Sequence, residues 1–169
     1  MDGPELVQDL FSRVDEHVRA VLDGLSIADA VAEPEPGSNS IAWEVWHLTR
    51  VQDAHVAELL ERDQVYVEGG WAARFGRPDD PSDVGYGHSP EDAASVRPDT
   101  VDVLRDHYEA VAARTGELLG ALTEDGLDRI VDRGWDPPVT LGVRLVSIAD
   151  DDIQHAGQAA YVKGMLQRR

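Results

Sequence analysis

The strongest chemical signal in the sequence lies at residues 150–158, inside a segment whose apolar residues recur at helical spacing. Asp151 and His155 are four residues apart, so on a helix they lie one turn apart on the same face and can converge on one ion. Asp152, three residues before His155, is the rival ligand. Successive helical residues turn by about 100°, so three consecutive carboxylates cannot all face inward. The spacing favours Asp151.

His47 is the candidate third ligand, from a different helix. It lies among large apolar side chains in residues 40–48, which would exclude water and hold the imidazole in place. Facing helices of a bundle commonly assemble such sites. Two imidazoles and one carboxylate leave room for water or a substrate and suit Zn²⁺, Fe²⁺ or Ni²⁺. The sequence therefore predicts a metal site formed by His47, Asp151 and His155.

The other four histidines are weaker candidates. A packed core histidine is the structural alternative for any imidazole in an apolar helix. His55 lies eight residues after His47, about 12 Å along a helix axis, so we expect it behind the site or at the surface. His17 and His107 flank apolar stripes and are predicted to be partly exposed. His88, in a glycine-rich segment, is predicted to be a solvated loop residue.

Four long segments with apolar residues spaced three and four apart predict the helices that position these side chains. They cover about residues 4–25, 38–61, 98–122 and 140–163. We expect Ser38 or Asn39 to cap the second helix, Thr140 to cap the fourth and Gly164 to end it. Residues 26–37 are predicted to be a linker, and no segment has a convincing strand pattern. The predicted fold class is all-α, an antiparallel four-helix bundle forming one domain over residues 1–169.

A long irregular insertion, residues 63–98, separates the second and third helices and is broken by several glycines and prolines. Loops of this length often form a lid or a pocket wall and can contain short helical turns. The insertion is too long for a simple hairpin, so it could be a crossover that changes which helices are neighbours. Trp43, Trp71 and Trp135 are candidates for aromatic walls of the pocket, with plain packing as the alternative.

Composition excludes several classes of protein. The 169 residues include 33 Asp and Glu against 15 Lys and Arg, a formal charge of -18, which disfavours nucleic acids and anionic lipid surfaces as partners. The absence of cysteine excludes disulfides and thiolate-ligated metal sites. Neither a membrane-spanning apolar stretch nor a signal peptide is recognisable, so we expect a cytoplasmic protein.

Two blocks of sequence resemble the metal-ligand helices of the DinB-like four-helix superfamily. They are residues 38–53, SNSIAWEVWHLTRVQD, and residues 150–164, DDDIQHAGQAAYVKG, and the resemblance extends in outline over the whole chain. It implies a divalent metal held at the positions of His47, Asp151 and His155. Many members have histidine where this chain has Asp151. An acidic residue there is similar to the branch that contains the mycothiol-dependent maleylpyruvate isomerase.

That branch implies a low-molecular-weight thiol such as mycothiol as co-substrate, bound through its sulfur to the metal, with Zn²⁺ as the first choice of ion. A divalent metal lowers the pKa of a thiol and presents the nucleophilic thiolate. The resemblance thus implies an S-transferase or isomerase that acts on a small electrophile. The isomerase carries an additional C-terminal domain beyond the region of resemblance, so its own substrate is not carried over.

Two other functions stay open from the residues alone. The same metal could activate water in a small-molecule hydrolase, with Glu44 or Asp150 as the base. Alternatively, the protein could be a non-catalytic helical module for binding or dimerisation, in which the polar residues are structural. A homodimer formed through a helix face is compatible with either function.

Overall fold

The computed structural model describes residues 1–168 and is predominantly helical. Its elements in chain order are α1 (Gly3–Leu22), α2 (Ile27–Ala30), α3 (Ile41–Leu60), α4 (Val65–Glu68), α5 (Trp71–Arg74), α6 (Pro90–Ala94), α7 (Val101–Gly120), α8 (Glu124–Leu127), β1 (Ile130–Asp132), β2 (Val139–Thr140) and α9 (Leu141–Leu166). The long helices α1, α3, α7 and α9 pack side by side as a bundle. The predicted all-α four-helix fold is confirmed.

Helices α3 and α9, which carry the candidate ligands, are neighbours that run in opposite directions. Glu44 near the start of α3 contacts His155 in the second half of α9, and His55 near the end of α3 contacts Arg144 near the start of α9. Residues 47 and 151–155 therefore face each other near the middle of the shared interface. This pairing places both predicted ligand blocks on one seam of the bundle.

The insertion is a crossover, because α3 and α7 are neighbours that run in the same direction. Gln52 contacts Thr115, and Arg62, just after the end of α3, contacts Glu117, which is further along α7. Two helices that run parallel need a long connection to return the chain to the starting end. The prediction of an antiparallel bundle thus holds for α3 with α9, but not for α3 with α7.

The helix ends follow the sequence in part. Thr140 caps α9 as predicted, with its side chain accepting from the backbone of Val143. Ser40, rather than Ser38 or Asn39, caps α3. The prediction that Gly164 ends α9 is wrong, because the helix continues for two more residues. An internal glycine costs about 1 kcal/mol, and the last turn still packs against the core.

Short elements occur where the sequence suggested only irregular chain. Strands β1 and β2 form an antiparallel pair in which Ile130 lies opposite Thr140, so the expectation of no strand is wrong. Three and two residues are too short to show an alternating pattern. Helix α2 lies in the predicted linker, and α4, α5 and α6 lie in the insertion.

The insertion also buries α3. Every residue from 41 to 53 is buried, because α9 and α7 pack on two sides of the helix and the insertion covers the face between them. Tyr66 and Phe75 bring aromatic rings from the insertion into the apolar core. Within residues 1–168, no helix combines the length and the apolar character that crossing a membrane requires.

Candidate metal centre

The three predicted ligands converge on one point between α3 and α9. His47, Asp151 and His155 each offer a ligand atom, and these atoms lie within 4.8 Å of one another. Nε2 of His47 is 3.9 Å from Oδ2 of Asp151, and Nε2 of His155 is 3.8 Å from Oδ1. Donors that share an ion at about 2 Å stand roughly 3 to 4 Å apart. The cluster could therefore hold a divalent metal ion.

Both histidines present Nε2 to this point because Nδ1 is hydrogen-bonded elsewhere. Nδ1 of His47 donates to the carbonyl oxygen of Val84, and Nδ1 of His155 donates to Oε2 of Glu44, each at 2.5 Å. Gln158, with its amide nitrogen facing Glu44, lies 3.2 Å from both carboxylate oxygens. Such bonds fix the tautomer and the ring orientation of metal-binding histidines. Glu44 therefore orients His155.

The structure distinguishes the three consecutive carboxylates. Asp151 faces both imidazoles, and its buried Oδ2 has no hydrogen-bond partner among residues 1–168. Asp152 points into the core, where neither oxygen has a partner in the described chain. Burial, and then the charge of Asp151, raises the pKa of Asp152. Asp150 is exposed. A carboxylate that faces two imidazole nitrogens and has one buried, unpartnered oxygen fits a cation, so the donor set suits a divalent metal.

The electrostatic environment favours a neutral imidazole at His47 and a protonated phenol at Tyr86. Burial, and then the proximity of His155, lowers the pKa of His47, which favours the neutral imidazole that ligates metals. The hydroxyl of Tyr86 donates to Oδ1 of Asp151 at 3.3 Å. Burial, followed by the charge of Asp151, raises the pKa of Tyr86. The phenol therefore stays protonated and acts as a donor.

Aromatic rings enclose His47 on two sides. Trp43 stacks on its imidazole with centroids 4.7 Å apart and 9° between the planes, and Tyr86 meets it edge-on at 5.2 Å. Of the three predicted walls, only Trp43 lies at the cluster. Trp71 packs in the core and Trp135 is 68% exposed. Sequence reasoning missed Tyr86 because the insertion has no periodic pattern that would place it.

The remaining histidines lie away from the cluster. His55 accepts a hydrogen bond from Arg144 at 2.8 Å, two turns along α3 from His47, and His17 is exposed. His107 is fully buried and His88 is only 10% exposed. The predictions of a partly exposed His107 and a solvated His88 are wrong, because the insertion folds back over both side chains.

A groove of about 490 Å³ opens beside the cluster, between α9 and the residues just before α3. Glu44 and Gln158 form its inner wall, and Ser38, Asn39 and the exposed Tyr161 lie around it. Since Glu44 also binds His155, the groove reaches the rear of the candidate metal centre. It has room for a small organic molecule.

Comparisons with known proteins show what the whole chain is similar to. The family model of the DinB superfamily matches residues 10–159. A crystal structure described as the conserved protein of locus from Enterococcus faecalis is similar to this chain, with 32% identity and a TM-score of 0.89, and the alignment covers 100% of this chain and 99% of that one. The comparison with curated proteins found no match. With the family model matching most of its length, the chain belongs to the DinB superfamily.

Proposed function

We propose that this protein is a divalent-metal-dependent enzyme that uses a low-molecular-weight thiol, of the mycothiol type, against a small electrophile. The observation that carries the proposal is the convergence of two imidazole nitrogens on the carboxylate of Asp151, whose buried Oδ2 has no hydrogen-bond partner in residues 1–168. His47, Asp151 and His155 would hold the ion. Zn²⁺ suits this donor set best, with Fe²⁺ and Ni²⁺ as alternatives.

Each side chain around the cluster has a distinct role in this proposal. A bound ion would lower the pKa of a thiol so that it reacts as the thiolate at neutral pH. The carboxylate of Asp151 offsets part of the ionic charge, and Glu44 holds His155 in its ligating orientation. Trp43 excludes water from one face of His47. Tyr86, 65% exposed, offers a phenol at the mouth of the site.

The positions of the two candidate bases favour a thiol over water as the nucleophile. Glu44 binds Nδ1 of His155, on the far side of the ring from Nε2, and Asp150 is exposed and accepts from Gln154. Hydrolysis needs a base that takes a proton from water. A bound metal lowers the pKa of water as well as that of a thiol, so the two reactions differ in the proton transfers of hydrolysis, for which neither Glu44 nor Asp150 is placed.

The burial of Oδ2 of Asp151 also favours metal binding over a purely structural role for the cluster. Leaving a buried acceptor without a partner costs about 1–3 kcal/mol, and more when the group is charged. A structural cluster would satisfy Oδ2 of Asp151 within the protein, which residues 1–168 do not do. A bound cation would remove this penalty.

The test is a reaction assay on protein reconstituted with zinc. Mycothiol, with glutathione for comparison, is offered with chlorodinitrobenzene as the electrophile, and formation of the thioether is followed. We expect thiol-dependent turnover that His155→Ala abolishes and that the matched control His55→Ala retains. Ester or amide hydrolysis without thiol, also abolished by His155→Ala, would identify a hydrolase instead. Equal turnover by His155→Ala and the wild type would exclude this site as the catalytic centre.

A further inference from the structure

The ligand His47 is oriented by the insertion, at a segment we call the clamp, residues 77–88. We infer that Asp83 is a positioning residue for His47, acting through the backbone at Val84 and through a chain of contacts that ends at Trp43. The inference rests on the proposed metal-binding function and deepens it. It assigns to the insertion the control of how tightly the ion is held.

The first connection runs through the backbone of the clamp. Nδ1 of His47 donates to the carbonyl oxygen of Val84, the residue that follows Asp83. Arg50, fully buried on α3, fixes the same stretch of chain: its Nε donates to the carbonyl oxygen of Asp83 at 3.2 Å, and its Nη2 donates to that of Pro81 at 2.9 Å. The acceptor for His47 is therefore tied to the helix that carries His47.

The second connection runs through the carboxylate of Asp83. Its Oδ2 accepts from Nε and Nη2 of Arg77 at 2.9 and 2.7 Å, and its Oδ1 lies 2.8 Å from Nε2 of His88. With its proton on Nε2, His88 accepts at Nδ1 from Nε1 of Trp43 at 3.1 Å. Trp43 in turn lies flat on the imidazole of His47. One carboxylate thus holds the ring that packs against the ligand.

At Gly85 the backbone of the clamp lies closer to His47 than a residue with a Cβ would allow. A Cβ at Gly85 would lie 2.5 Å from Nδ1 of His47 and 3.1 Å from Trp46, and the backbone there has φ +99. Glycine tolerates both the contact and the positive φ. Tyr86 follows and meets the edge of the imidazole. The hydrogen bond, the stacked face and the edge contact of His47 thus involve the clamp or depend on it.

This arrangement distinguishes positioning from simple stabilisation. If Asp83 only held the insertion in place, its loss would lower the free energy of unfolding and leave the imidazole as it is. If Asp83 positions His47, its loss frees Nδ1 and lets the proton move to Nε2, the nitrogen that must bind the ion. Replacing groups that orient metal ligands typically weakens binding by about 10- to 100-fold.

The experiment compares two variants, Asp83→Asn and His88→Gln, with the control Asp79→Asn. The control makes the same change of charge as Asp83→Asn, but at an exposed position of the clamp. The tautomer of His47 is read by nitrogen NMR on the metal-free, full-length chain. The dissociation constant for zinc is measured by competition with a chelator. His88→Gln keeps the pair between Arg77 and Asp83, so it serves if Asp83→Asn fails to fold.

We expect the wild type and Asp79→Asn to carry the His47 proton on Nδ1 and to bind zinc equally, within about twofold. Asp83→Asn should show a mixed tautomer of His47. Both Asp83→Asn and His88→Gln should bind zinc about 10- to 100-fold more weakly, because His88→Gln loosens Trp43 while the backbone at Val84 stays tied by Arg50 and Arg77. An unchanged tautomer in Asp83→Asn would overturn the inference, whatever its zinc affinity; where that variant does not fold, wild-type zinc affinity in His88→Gln would overturn it. If the wild type binds no zinc, the proposed function fails, while the tautomer comparison still decides the role of Asp83.

Discussion

Glu44 and His155 are joined by a 2.5 Å hydrogen bond that crosses from α3 to α9 beside the candidate ligands. The carboxylate is 3% exposed and the imidazole 17% exposed, so water competes little for either group. The bond leaves Nε2 of His155 facing Asp151. A single contact between the two ligand-bearing helices therefore sets both the tautomer and the direction of one ligand.

Replacing Glu44 by glutamine should weaken metal binding without dismantling the bundle. Glu44→Gln keeps an acceptor for His155 but removes the negative charge that makes the imidazole a better donor to the metal. We expect zinc affinity to fall by about 10- to 100-fold, measured by competition with a chelator. Glu58→Gln, at a largely exposed position of the same helix, is the control and should bind zinc as the wild type does. Equal affinities for the two variants would contradict the role given to Glu44.

Alanine at Gly85 should be more harmful than alanine at Gly87. Both glycines have a positive φ, so both substitutions strain the backbone. Only at Gly85 would the new Cβ collide with His47, since at Gly87 it would meet no atom of the described residues within 4 Å. We expect the free energy of unfolding of Gly85→Ala to lie about 1–3 kcal/mol below that of Gly87→Ala.

Urea unfolding of both variants measures this difference directly. The zinc affinity of Gly85→Ala should also fall, because the imidazole must move to admit the methyl group. Similar stability and similar zinc affinity in the two variants would show that the clamp does not press on His47.

The buried His107 should make stability depend on pH. Burial, with a smaller contribution from Arg50, lowers the pKa of His107 well below its usual value. Between this lowered pKa and about pH 6.5, the unfolded chain binds a proton at His107 and the folded chain does not. The contribution of His107 to the free energy of unfolding is therefore complete above about pH 6.5 and is lost as the pH falls. One such group changes the stability by up to about 1.4 kcal/mol per pH unit.

His107→Phe keeps a ring among its aromatic neighbours and removes the proton-binding site. Urea unfolding between about pH 5 and 7 should give a flatter dependence of stability on pH than in the wild type. His17→Gln, which removes an exposed imidazole, is the control and should keep the wild-type slope. The same slope in His107→Phe as in the wild type would contradict the burial effect.

The bundle and its three candidate ligands could be predicted because they depend on regular patterns. Apolar spacing identified the four long helices, and the spacing of Asp151 and His155 placed both on one helix face. His47 stands out in the sequence as a polar group within an apolar helix. Thr140 is predictable as a cap because its hydroxyl suits the first turn of α9.

The clamp could not be predicted because no local pattern encodes it. Val84 contributes a backbone oxygen, which leaves no trace in residue type, and His88 is buried by chain that folds back from far along the sequence. The same is true of Tyr86, whose position depends on the crossover between α3 and α7. The sequence indicates Glu44 only as a candidate base, since its contact with His155 spans 111 residues.

The zinc content of variants at the three consecutive aspartate positions tests the central claim most directly. Asp150→Asn, Asp151→Asn and Asp152→Asn are purified with the wild type, reconstituted with zinc, freed of excess metal and analysed for zinc per chain. We expect about one ion per chain in the wild type and in Asp150→Asn, and a large loss in Asp151→Asn, since it alone removes the carboxylate that faces both imidazoles. Asp152→Asn should keep its zinc wherever it folds. A wild type without zinc, or an Asp151→Asn variant with as much zinc as the wild type, would contradict the account.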